Sequence, residues 1–166
     1  EHPNVKLNSV GLGRQAGESL LYTDSPGSTL ASLTKRRLDH IGIDFSQSET
    51  VSLETLDGYC SRVGVDRIDL LKLDVEGHEL DVLVGAERMF SERRIRFVTF
   101  EFGGCNIDTR TYLRDYWLFF SARGMKSFHR LMPHGRLFHI DRYSERLELF
   151  GNSNYFVTMT ADDDDQ

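Results

Sequence analysis

The stretch Ile68-Asp-Leu-Leu-Lys-Leu-Asp-Val-Glu-Gly-His-Glu-Leu-Asp-Val-Leu-Val-Gly-Ala-Glu-Arg-Met-Phe90 constrains the fold more than any other part of this chain. Its first half, Ile68 to Val75, is apolar on both faces except for Asp69, Lys72 and Asp74. That is the pattern of an interior parallel strand covered by helices. Its second half puts Leu80, Leu83, Val84 and Phe90 on one side at helical spacing, with the charges of Glu79, Asp81, Glu87 and Arg88 between them. Gly77 stands at the junction, where a residue without a side chain lets the chain turn tightly. Asp74, Glu76, His78 and Glu79 are therefore expected at the carboxyl end of a central strand, where open α/β sheets bind ligands. Glu79 and Asp81 themselves read as helix surface.

A length of 166 residues suits one domain with a real core. The net charge of -6 leaves no basic stripe to neutralise phosphates, which argues against a nucleic-acid partner. The nearest basic run, Lys35-Arg36-Arg37, is followed by Asp39 and reads as a solvated helix face. No apolar run approaches the roughly 20 residues that cross a bilayer, and no signal peptide opens the chain. No membrane partner is expected, and the default compartment is cytoplasmic. Cys60 and Cys105 lie far apart without a CxxC pattern and read as free thiols. The chain opens at Glu1, without methionine, in what reads as the approach to a strand, so a fragment is expected.

In chain order, Asn4 to Leu12 alternates as a first strand, and Gly17 to Thr23 is a second that could form a hairpin with it. A short helix through Leu30, Leu33 and Leu38 is possible, and Glu49 to Leu53 reads as a strand. Leu56 to Val63 reads as a helix capped by Thr55 and stopped by Gly64. Beyond the central unit, Arg94 to Phe102 is a strand of strong β-formers. An aromatic helix through Tyr112, Tyr116, Trp117, Phe119 and Phe120 follows, capped by Asp108 or Thr109, its stripe read as core. Strands at Lys126 to Leu131, Arg136 to Ile140 and Tyr155 to Met159 close the chain. Residues 1–161 read as one domain part and 162–166 as an acidic tail. The succession predicts an α/β sheet with an antiparallel edge.

Ile68 to Glu79, followed by Leu83-Val-Gly-Ala86 and Phe100-Glu-Phe102, resembles the FkbM family of S-adenosylmethionine-dependent methyltransferases. Ser52-Leu-Glu-Thr-Leu-Asp57 and Val10-Gly-Leu12 resemble further segments of that family in the right order, so the likeness spans about Val5 to Met159. The resemblance implies a partial Rossmann-like class I methyltransferase sheet, with parallel central strands and antiparallel C-terminal edge strands. It also implies a glycine-rich cofactor loop and a ribose-binding acid, both expected before Glu1. Gly11-Leu-Gly13 is not that loop, because a short polar strand follows it rather than a helix. By the same resemblance, Val10, Gly11 and Leu12 would flank adenine, and the acceptor would be a sugar or polyketide-like hydroxyl.

Asp74 is the first candidate site residue: a carboxylate among apolar neighbours is costly unless it is paired or sits at the strand mouth. It could serve as a base, a metal ligand or an orienting group, or it could simply pair with Lys72 on the same face. His78, with an ordinary pKa near 6.5, could accept a hydroxyl proton at neutral pH, or be a surface or capping histidine. Glu76 could orient an acceptor or favour the helix N-terminus. Glu101 would bring a second carboxylate beside Asp74; the pair could hold a divalent cation, but no third ligand is evident and no metal is assigned. Cys105 reads as a loop filler. The leading expectation is methyl transfer to a hydroxyl oxygen, with Asp74 or His78 as base. The rivals are a non-catalytic remnant that forms homo-oligomers through an exposed sheet edge, and a metal-dependent hydrolase built on Asp74, His78 and Glu101.

Overall fold

A computed structural model describes residues 3–159; the acidic run Asp162 to Asp165 lies outside the described residues. The elements in order are β1 (Gly11–Leu12), β2 (Gly17–Thr23), β3 (Gln47–Glu54), α1 (Leu56–Val63), β4 (Ile68–Leu73), α2 (Glu79–Val84) and α3 (Glu87–Ser91). They continue with β5 (Ile95–Phe102), α4 (Cys105–Thr109), α5 (Leu113–Ser121), β6 (Ser127–Leu131), β7 (Leu137–Ile140) and β8 (Ser153–Thr158).

The strands form two sheets. In the smaller, β3 lies between β1, parallel to it, and β2, antiparallel to it. In the larger the order is β4-β5-β8-β6-β7, with β4 and β5 parallel and every other pair antiparallel. The mixed α/β class is as expected, but the arrangement differs from the expected one. Among the described residues the parallel pair lies at one edge of the larger sheet, and the last described strand, β8, is inserted in its middle. The early strands form a sheet of their own, and β1 and β2 each pair with β3 rather than with each other.

The expected first strand shrinks to two residues, and Leu7, 93 % exposed, has nothing to pack against. The segment of Leu30, Leu33 and Leu38 is not an α-helix: Ser32 instead bridges to Tyr22 of β2. Among the described residues β4 pairs only with β5 and is not covered on both faces. Leu71 and Leu73 are buried, but Lys72 is exposed and Leu70 is 56 % exposed. One face of the larger sheet carries the core: Leu73, Val98, Phe100, Phe102, Tyr155 and Val157 meet Leu56, Leu83, Phe90, Tyr116 and Phe120 from the helices. The aromatic residues of α5 belong to it, Tyr116 stacking on Phe100 with ring centroids 4.6 Å apart.

Helix α1 starts and stops where its sequence says. Thr55 Oγ1 accepts from the Gly58 N–H at 3.0 Å, and Gly64 closes the helix in the left-handed region. The expected long helix after β4 is instead two short ones broken at Gly85. A Cβ there would lie 2.2 Å from the Gly13 carbonyl oxygen, so the chain just after β1 packs directly against the break. Asp57 then supplies the cap that α3 lacks locally, accepting from the N–H groups of Arg88 and Met89 at 2.7 and 3.0 Å. Neither Asp108 nor Thr109 caps α5; both lie in α4. Asp115 instead accepts from the Tyr112 N–H at 2.8 Å, and Glu148 from Leu113 and Arg114 at 2.8 and 2.9 Å.

Candidate active site

Where β4 ends at Leu73 the chain makes a tight turn through Asp74-Val-Glu-Gly-His78 before entering α2. Glu76 and Gly77 both occupy the left-handed region, with φ of 49° and 98°. Gly77 is also short of space: a Cβ would stand 2.9 Å from Thr109 Cγ2 and 3.1 Å from the Cys105 carbonyl oxygen. The turn is held from inside by Glu79, which has no exposed surface. Its carboxylate accepts from the N–H groups of Val75 and Gly77 at 3.0 and 3.3 Å and from the Tyr116 hydroxyl at 3.3 Å. Tyr116 in turn accepts from Asn106 at 3.1 Å, and Asn106 accepts from the Gly103 N–H at 2.8 Å. One buried polar chain thus fixes the loops after β4 and β5 relative to each other.

Three expected site residues converge. Asp74, Glu76 and Glu101 each bring a carboxylate oxygen to within 4.8 Å of the others. Burial, then the charges of Asp74 and Glu76, push the Glu101 carboxyl above its ordinary range. Burial also raises Glu76, against the lowering effect of Arg36. Such a trio could hold a hard divalent cation through oxygen ligands. Two of the three already have cationic partners: Lys72 pairs with Asp74, and Arg36 bonds Glu76 at 3.0 Å while reaching Asp108 at 3.3 Å. The bland alternative for Asp74, an ion pair with Lys72, is thus realised at the strand mouth.

His78 stands between two partners. Asp81 Oδ2 lies 2.8 Å from Nδ1, and Thr34 Oγ1 lies 2.9 Å from Nε2. A carboxylate can only accept, so Nδ1 carries the proton; Nε2 of the neutral ring then accepts from the Thr34 hydroxyl. The His78 contact, with Arg14 on the other oxygen at 3.0 Å, holds the Asp81 carboxyl below its ordinary range. Beside this group is a pocket of about 420 Å³ between the small sheet and the turn. Val10, Gly11, Leu12, Asp74 and His78 all line it, with Leu21, Leu33, Val51, Leu53 and Val75 forming its apolar walls. Glu76 and Glu101 are not in its lining, although their carboxylates lie close to that of Asp74. Cys105 is buried and pushed up to about 12 by that burial, which suits a filler rather than a nucleophile.

The sequence profile described as the Methyltransferase FkbM domain matches residues 1–127. The chain belongs to the FkbM methyltransferase family. It is also similar to the 2-O-methyltransferase NoeI of Sinorhizobium fredii, at 36 % identity over 52 residues. That stretch is 30 % of this chain and 21 % of the relative, so the chain matches about a fifth of that protein's length. No solved structure matches.

Several residues of this FkbM domain do work that their sequence context did not announce. Glu79 and Asp81, read as helix surface, are the bracket inside the turn and the partner of His78. An acid two residues past a glycine at a helix start is where orphan N–H groups seek an acceptor, a signal that could have found Glu79. Arg36, read as part of a solvated helix face, has a side chain only 9 % exposed because Glu76 and Asp108 enclose it. Thr34 had no local signal at all: its partner lies 44 residues away in sequence.

Proposed function

We propose that this domain transfers a methyl group from S-adenosylmethionine to a hydroxyl oxygen of a sugar or polyketide-like acceptor, in the cytoplasm, on a sheet of Rossmann-like class I descent. The observation that carries the reading is the apolar pocket with Asp74 and His78 in its lining. Family membership and the 2-O-methyltransferase name of a relative supply the reaction class.

The pocket residues fit the cofactor in kind. Val10, Leu12, Leu21, Val51 and Leu53 offer apolar walls for a flat base, and Asp74 offers a carboxylate to a cationic ligand. When bound, S-adenosylmethionine would supply an electrophilic methyl on positive sulfur. The chain's own residues position the acceptor and remove its proton. His78 is the better-placed base, because Asp81 fixes its tautomer and stabilises the imidazolium that proton uptake creates. Asp74 is the alternative base, with its charge partly offset by Lys72, and the carboxylates of Glu76 and Glu101 lie close to it. No metal is required by this scheme.

The test is calorimetry with S-adenosylmethionine on the protein as its gene encodes it. Saturable binding that Leu12→Arg abolishes and Asp74→Asn weakens is expected. No binding by the wild-type protein would sink the reading. A second reading, self-association through an open sheet edge, draws on β4. That strand pairs only with β5 among the described residues and leaves Leu70 exposed. Light scattering decides it: a dimer that Leu70→Lys dissociates would support it, and a monomer at all concentrations would remove it.

A further inference from the structure

A second pocket, of about 390 Å³, has His78 in common with the apolar one and no other lining residue. The same three segments wall both: Leu12 faces the first and Arg14 the second, Ser32 and Leu33 the first and Thr34 the second, Asp74 and Val75 the first and Gly77 and Asp81 the second. Their chemistry is opposite. The second pocket is polar, with Arg14, Thr34, Asp81, Asp108, Arg110 and Thr111 presenting donors and acceptors around one cleft. Such a lining recognises a ligand that carries many hydroxyls rather than a flat or apolar one.

We infer that this polar cleft is the acceptor subsite, that it takes a hydroxyl-rich, sugar-like ligand, and that Thr34 receives the reacting hydroxyl. The inference rests on the methyl-transfer reading above and narrows its acceptor class. Thr34 Oγ1 is within hydrogen-bond reach of His78 Nε2 and lines the cleft, so its free lone pair is available to an acceptor O–H. The acceptor proton passes to Thr34 Oγ1 as the threonine proton passes to His78 Nε2, leaving an imidazolium against Asp81. The acceptor oxygen uses the electron pair freed by that loss to bond the methyl carbon of a sulfonium donor. The carbon–sulfur bond breaks, and its pair remains on the neutral sulfur.

The experiment is an NMR titration of the isotopically labelled protein with methyl α-D-glucopyranoside, following the amides of Thr34, Gly77, Arg110 and Thr111 and the ring nitrogens of His78. Saturable shifts at these positions, with Val10 and Leu12 unmoved, are expected. Thr34→Val should weaken the binding by about tenfold, and Thr34→Ser should restore it, because only the hydroxyl is needed. Absence of saturable shifts, or equal affinity in Thr34→Val, overturns the inference. Calorimetry with S-adenosylmethionine on the same sample separates the two readings. If the glycoside binds and the cofactor does not, the methyl-transfer reading falls, and with it the proton path that depends on it. If the cofactor binds and the glycoside does not, only the acceptor inference falls.

Discussion

Asp81 and Glu101 respond to pH with opposite sign. Asp81 is held below the ordinary aspartate value by His78 and Arg14. Its stabilising contribution is complete above about pH 3.9 and is lost as the pH falls through the lower folded value. The stability deficit of Asp81→Asn should therefore be full at neutral pH and vanish in strong acid. Glu101 is raised by burial and by its acidic neighbours, so its ionisation costs stability as the pH climbs from about 4.3 through the folded value. Glu101→Gln is expected to stabilise the protein at pH 7, on the order of 0.5 kcal/mol since the group still meets water, and to do nothing at pH 3. Urea titrations across pH measure both; a gain for Glu101→Gln at every pH would contradict the crowding argument. Glu79 is a different case, because its value is in its oxygen atoms. Glu79→Leu strands three donors inside the protein and should cost about 3 kcal/mol or more, whereas Glu79→Gln, which keeps one acceptor, should cost about 1 kcal/mol. The candidate acids Asp74, Glu76 and Glu101 were legible from the sequence because a strand end concentrates them. Glu79 was placed there too but read as surface, its burial being a property of the folded chain, and Thr34 was not legible at all, because its partner lies 44 positions away.

At the level of elements, what could be read was what is decided locally. Thr55, Gly64 and the β-rich run to Phe102 act through their nearest neighbours, and α1 and β5 lie where those residues put them. The single helix expected after β4 is two, and the break falls at Gly85, where the Gly13 carbonyl comes too close for a side chain, a contact from far outside the local sequence. The edge position of β4 among the described residues could not be read for a related reason: an apolar residue such as Leu70 looks the same in sequence whether or not anything covers it. Gly85 makes the point testable. Gly85→Ala puts a methyl group onto a carbonyl oxygen at a helix break where the backbone is already committed, and should cost about 1 to 3 kcal/mol. A thermal melt unchanged by this substitution would mean that the small sheet shifts freely on α2. Asp57→Ala, which uncaps α3 from a distance, is expected to cost about 1 kcal/mol by the same measurement.

For the whole molecule, the consequence is that the pocket has one firm wall and one soft one. The larger sheet carries the buried core, with β5 and β8 paired along their length and Phe100 stacked between Tyr116 and Tyr155. The small sheet contributes few fully buried side chains and is fastened mainly through the turn after β4. Arg14 binds Asp81, Ser32 donates to the Glu76 carbonyl at 2.8 Å, Thr34 binds His78, and Arg36 binds Glu76. Every one of these ties ends on residues 76–81, the turn and helix start that carry His78 into the pocket lining. Elements held by few apolar contacts open at lower free energy than the core. Amide exchange should therefore be slowest in β5 and β8 and faster in β1, β2 and residues 28–36. A ligand seated between Leu12 and His78 bridges the two walls, so saturating S-adenosylmethionine is expected to slow exchange at residues 9–12 and 31–34 while leaving β8 unchanged. Protection that rises uniformly along the chain would place the ligand's effect in global stability. Protection confined to residues 108–115 would move the cofactor into the polar cleft and exchange the two proposed subsites.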